Sequence, residues 1–141
     1  MIAFRLTLRP GVPVYQQVVY AAKKAIIAGQ MPPGERFPSV RAISQELKIN
    51  PNTAHKVVTQ LIAEGLLEVH PGLGTVVTKL PVSTARERAQ LLQEELEALV
   101  VEAKKLRMSS EDVHAALQDH WERLSTSAGE RSTTSRKGEK L

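Results

Sequence analysis

The chain has 141 residues, a net charge of +4 and 42% hydrophobic residues, enough for one small core and an appendage. With no cysteine, it has no disulfide, no thiolate metal site and no cysteine nucleophile. It also lacks any run of about 18 apolar residues that would span a bilayer.

The charge is unevenly spread. Residues 1–80 hold nine Lys/Arg against four Glu, net +5, while 81–124 hold six against nine, net −3; 125–141 hold four against two, net +2. A basic half joined to an acidic half fits one part facing phosphates and another facing protein. The start of the chain alternates and carries Arg5 and Arg9, unlike a signal peptide, so a cytoplasmic location is expected.

In chain order, Phe4–Leu8 alternates apolar and polar and reads as a short edge strand, broken by Pro10-Gly11. From Val14 to Ala28, apolar Val14, Val18, Ala21, Ala22, Ala25 and Ile26 recur at helical spacing, with Gly29 as terminator. Met31-Pro32-Pro33-Gly34 reads as a rigid turn. A second helix is predicted from about Ser39 to Leu47, with Ser39 as cap and Val40, Ile43 and Leu47 inward.

The third helix is the best specified. Asn50 can accept from first-turn amides, and Pro51 sits at the first helical position, where no amide is needed. Ala54, Val57, Val58, Leu61 and Ile62 form one apolar stripe; Asn52, His55, Lys56 and Thr59 lie opposite, and Gly65 closes the helix. Leu67–His70 and Thr75–Thr78 then read as two strands around Pro71-Gly72-Leu73-Gly74.

After Lys79-Leu80-Pro81 the pattern changes. Ala85, Ala89, Leu92, Leu96, Leu99, Ala103 and Leu106 recur at alternating steps of four and three, a coiled-coil-like seam. Ser109 begins another helix with acids in its first turn and an inner face of Val113, Leu117, Trp121 and Leu124. Polar, low-hydrophobicity residues then predict a disordered tail.

The expected fold is therefore mainly α with a small β-hairpin wing, a winged helix-turn-helix over residues 1–80. An α-helical dimerisation hairpin over 81–126 and a disordered tail over 127–141 follow. This layout places its third helix in the major groove of DNA. Asn52 offers the donor and acceptor that match adenine. Thr53 and the amides at the helix start suit a phosphate, and His55 and Lys56 suit a guanine edge or a phosphate. Arg41 is placed to clamp a phosphate, and Gly72 and Gly74 let the wing backbone approach closely. The predicted DNA-binding set is Ser39, Arg41, Asn50, Pro51, Asn52, Thr53, His55, Lys56, Gly72 and Gly74; the predicted dimerisation set is Leu92, Leu96, Leu99, Leu106, Val113, Leu117, Trp121 and Leu124.

Pro13-Val14-Tyr15-Gln16-Gln17, Pro33-Gly34-Glu35-Arg36-Phe37-Pro38-Ser39-Val40-Arg41, Asn50-Pro51-Asn52-Thr53, Glu64-Gly65-Leu66 and Gly72-Leu73-Gly74-Thr75-Val76-Val77 occur in this order. Together they resemble the GntR family of bacterial transcriptional regulators over residues 4–80. The Asn-Pro-Asn-Thr helix start and the short helical tail resemble its YtrA subfamily. The resemblance implies a dimeric repressor on a palindromic operator, held together by the C-terminal helices, with a transporter operon as the target. It carries DNA contact onto Arg41, Pro51, Asn52, Thr53, His55 and Gly72. Other members often have arginine where this chain has Pro51 and His55, and arginine-rich wings where this one reads His70-Pro71-Gly72-Leu73.

Enzymatic function is not expected. His55, His70, His114 and His120 have no close metal-ligand spacing, and no phosphate-cradling glycine loop or nucleophile elbow is present. No cofactor, metal or membrane partner is expected, and the sequence names no effector. Two alternatives stay open: a non-specific architectural DNA-binding protein, and a winged helix used for protein interaction.

Overall fold

A computed structural model describes the backbone of residue 2 and residues 4–140, and side chains through Ser125. The side chains of the tail expected over 127–141 lie outside the residues so described. The chain divides into two compact units, residues 81–123 forming one of them.

In the winged unit, α1 spans Val14–Ile27, α2 Val40–Leu47 and α3 Pro51–Ala63. Each boundary has a local cause. The α1 helix stops at Ala28, after which Gly29 takes a φ of +82°. Ser39 caps α2, its Oγ accepting from the Ala42 amide at 3.1 Å. Asn50 caps α3, its Oδ1 accepting from the Asn52 amide at 2.7 Å, with Pro51 in the first turn. Val18, Ala22, Ile43, Ala54, Val57 and Leu61 are fully buried where the three helices meet.

Strands β1 (Leu67–His70) and β2 (Gly74–Val77) pair antiparallel, Leu67 opposite Val77 and His70 opposite Gly74. β2 starts and ends one residue earlier than expected. The Thr78 amide instead donates to the Leu66 carbonyl at 3.1 Å.

The expected strand over Phe4–Leu8 does not form. The far edge of β2 is already taken by 34–37, of which the sequence reading covered only Gly34, as the end of a turn. The Gly34 amide donates to the Val77 carbonyl at 2.8 Å, the Val77 amide to Glu35 at 2.9 Å, and the Phe37 amide to Thr75 at 2.8 Å. Phe4 is pinned by its ring rather than by a ladder, stacked on Phe37 with centroids 6.1 Å apart.

Two longer-range contacts tie α1 into the unit. Lys23 donates to Glu64, just past α3, at 2.8 Å, and Gln60 donates to the same carboxylate at 2.9 Å. These hydrogen bonds, the one from Lys23 foremost, hold the Glu64 carboxyl below the usual carboxylate range. Gln17 is the one buried polar side chain among the described residues. Its Oε1 accepts from the Arg9 amide at 2.8 Å, and its Nε2 donates to the Arg9 and Val12 carbonyls, each at 2.9 Å. One amide thus fastens the N-terminal segment onto α1.

Gln17→Leu keeps the side chain's volume but strips three partners of their bonds. It is expected to cost about 1–3 kcal/mol in urea unfolding. Unchanged stability would show that water replaces the amide.

Candidate nucleic-acid interface

The outward face of α3 is set by what the helix buries. Ala54, Val57, Val58 and Leu61 face the core, which turns the opposite side outward. Ile62, read as part of the apolar stripe, is 37% exposed. It lies at the margin of the stripe. Asn52, His55, Lys56 and Thr59 are all exposed, as their spacing requires.

The expected DNA-binding residues fall into two structural groups. Ser39 and Asn50 are engaged as caps, so their side-chain oxygens hold helix starts in place. Pro51 shapes the first turn, and Thr53 is half-buried there. Arg41, Asn52, His55 and Lys56 present exposed side chains. Arg41 stands in the first turn of α2. The turn joining α2 to α3 is sharp, with Lys48 left-handed at φ 56°, and the Ser44 hydroxyl donates to the Ile49 carbonyl at 2.7 Å to brace it.

At the wing, Gly72 and Gly74 have φ of +81° and +95°, and a Cβ on either would meet no atom within 4 Å. These glycines are required by backbone conformation, and the tip is open to a large partner. The exposed wing side chains include Val69 and Leu73. His70 Nε2 lies 2.7 Å from Glu68 Oε1.

One arrangement was not legible in the sequence. Lys56 Nζ sits 4.1 Å from the centroid of the Tyr15 ring, the second residue of α1. The two are far apart along the chain, and no local spacing links them.

The second unit begins with α4 (Ala85–Ala89), capped by Thr84. The Thr84 Oγ1 accepts from the Glu87 amide at 3.1 Å, and Glu87 Oε1 accepts from the Thr84 amide at 2.8 Å. The hydrogen bond from the Thr84 amide, foremost, lowers the Glu87 carboxyl's affinity for a proton. A π-helical turn over Gln90–Glu95 leads into α5 (Leu96–Lys105). The wider turn rotates what precedes it by roughly a quarter-turn. The seam expected from Ala85 and Ala89 is therefore not continuous with Leu96 and Leu99. The connection to α6 (Ser110–Lys140) passes Arg107 at φ 61° and Ser109, whose Oγ accepts from the Asp112 amide at 3.1 Å. Of the expected dimerisation residues, Leu92, Leu96, Leu99, Leu106, Leu117 and Trp121 are exposed, Trp121 by 70%, while Val113 and Leu124 are half-buried. No helix among the described residues is long and apolar enough to cross a membrane.

Comparison with known proteins places this geometry. The family model for bacterial regulatory proteins of the gntR family matches residues 14–77, from the start of α1 to the end of β2. The HTH-type transcriptional repressor YtrA of Bacillus subtilis (strain 168) is 30% identical over 112 residues, 79% of this chain and 86% of that protein. A structure described as a transcriptional antiterminator from Listeria monocytogenes EGD-e superimposes with a TM-score of 0.76 over 86% of this chain and 91% of that one; at 21% identity it speaks to the fold alone. A transcriptional regulator from Oenococcus oeni is 27% identical with a TM-score of 0.57, over 82% of this chain and 97% of that one. A capped, outward-facing α3 beside a glycine-tipped wing, on a chain matching these regulators over most of its length, makes this protein a winged helix-turn-helix transcriptional regulator of the gntR family.

Proposed function

We propose that the protein is a dimeric repressor that reads a two-fold symmetric DNA operator. The observation that carries this reading is the division of α3 into a buried stripe and an exposed one headed by Asn52. A helix inserted in the major groove presents such a stripe to base edges near its N-terminus. Asn52 takes the base-reading role, since its amide can pair with adenine at both donor and acceptor. His55 stands beside it. Arg41 and the first-turn amides around Thr53 set the docking angle through phosphates. The wing lacks arginine, and its glycine tip is suited to backbone approach. Repression as the sign of regulation is supported by YtrA, which is named a repressor.

Dimerisation is supported by the apolar surface of the second unit. Six large side chains there are exposed by 42–70%. Burying what remains returns roughly 1 kcal/mol each, or roughly 10 kcal/mol for both protomers together. That is comparable with the cost of association, about 4–15 kcal/mol. Most of the stripe is needed, so losing two members is enough to separate the protomers.

Two sets of variants test the reading. Leu96→Asp with Leu99→Asp is expected to halve the mass in light scattering and to weaken operator binding at least tenfold; unchanged mass would sink the dimer. Asn52→Ala is expected to leave thermal stability unchanged while weakening operator binding by about 1–3 kcal/mol. Asn50→Ala is expected to lose about 1 kcal/mol of stability with its cap. If Asn52→Ala binds the operator like the parent, α3 does not read bases through this residue.

A further inference from the structure

The contact between Tyr15 and Lys56 assigns a role to a residue outside the expected DNA-binding set. Lys56, Gln60 and Glu64 follow at steps of four, so they form one line along the flank of α3. That flank faces α1. Glu64 is tied there to Lys23 at 2.8 Å, and Gln60 and Glu64 line a cleft of about 250 Å³ with Tyr15, Gln16, Val19, Tyr20 and Lys23 of α1. Lys56 completes the line at the other end, its ammonium 4.1 Å from the Tyr15 ring centroid. Asn52 points more directly away from the buried stripe.

We infer that Tyr15 is a positioning residue for DNA binding: its ring holds the Lys56 ammonium to the side of α3, where it neutralises a backbone phosphate rather than reading a base. The inference rests on the proposed docking of α3 in the major groove. Tyr15 is half-buried and packed against the core, so its ring is fixed. A lysine free to rotate would lose side-chain entropy on meeting a phosphate. One face of the ammonium rests on the ring, and Lys56 remains exposed, so its other donors are available to an anion. The ring also replaces part of the ammonium's hydration, which makes this lysine a better-placed point charge than its spacing alone provides. Base reading then rests on Asn52 and His55.

The test uses the full chain and two duplexes of equal length, one from its own upstream DNA and one scrambled. Lys56→Ala is expected to weaken binding to both duplexes alike and to reduce the salt slope by about one. Tyr15→Leu should weaken both by roughly two- to fivefold, with Tyr15→Phe binding like the parent because the ring face is kept. In the Lys56→Ala background, Tyr15→Leu should add nothing. Thermal melting confirms that each variant is folded, and the Lys56 ε-methylene protons report the stack directly. Their resonances should lie upfield in the free parent and in Tyr15→Phe, and return to ordinary positions in Tyr15→Leu.

Additive losses in the double variant, tighter binding by Tyr15→Leu, or a loss confined to the upstream duplex would each overturn the assignment. So would unshifted ε-methylene resonances in the parent. A shifted resonance with Lys56→Ala binding both duplexes like the parent would overturn it differently, by showing that Lys56 does not meet DNA at all.

Discussion

The burial of one side of α3 is the constraint on which the rest depends. Val57 and Leu61 are wholly excluded from water, and Ala54 is small enough for the neighbouring helices to close over it. Because a helix turns 3.6 residues at a time, fixing these residues inward fixes Asn52, Lys56 and Thr59 outward. No separate device is needed to present this polar face. The caps then set where the helix starts: Asn50 holds the first-turn amides, and Ser39 does the same for α2. The sharp left-handed turn at Lys48 orients the pair.

The two units solve opposite problems. The winged unit packs Val18, Ile43, Val57, Leu61 and Leu67 into a core and turns the polar face of α3 outward. In the second unit Leu92, Leu96, Leu99, Leu106, Leu117 and Trp121 stay exposed in the single chain. Such a surface is costly unless another apolar surface covers it. A second copy of the same stripe is the covering surface we propose. In that proposal the second copy also brings a second α3, which would give association and operator symmetry one origin. Residues 81–124 carry a net charge of −3, opposite in sign to the winged unit.

Legibility in the sequence followed the range of the interactions. The α3 helix was readable because a cap, a proline and an apolar stripe all fall within a dozen residues. Hydrogen bonds within a turn, such as the Asn50 cap, leave a local signature. The pairing of 34–37 with β2 does not, because it joins segments some forty residues apart and was hidden behind the Pro-Pro-Gly turn signal. The same fact removed the Phe4–Leu8 strand: alternation was present, but no edge of β2 remained for it. Ile62 misled because a periodic pattern cannot say where a buried stripe ends. The π turn at Gln90–Glu95 has no glycine or proline to announce it, so the heptad-like seam was drawn too straight. The outward placing of Asn52 and His55 followed from spacing, whereas the Tyr15 contact to Lys56 required the packed α1–α3 pair.

The central claim is that this surface reads a sequence. Fluorescence anisotropy of the purified chain on its own upstream DNA and on a scrambled duplex, across a salt series, tests it most directly. The account predicts saturable binding with a preference of about a thousandfold or more and a steep loss of affinity with salt. Equal affinity for the two duplexes would contradict it, leaving a basic winged helix that holds phosphates without reading bases.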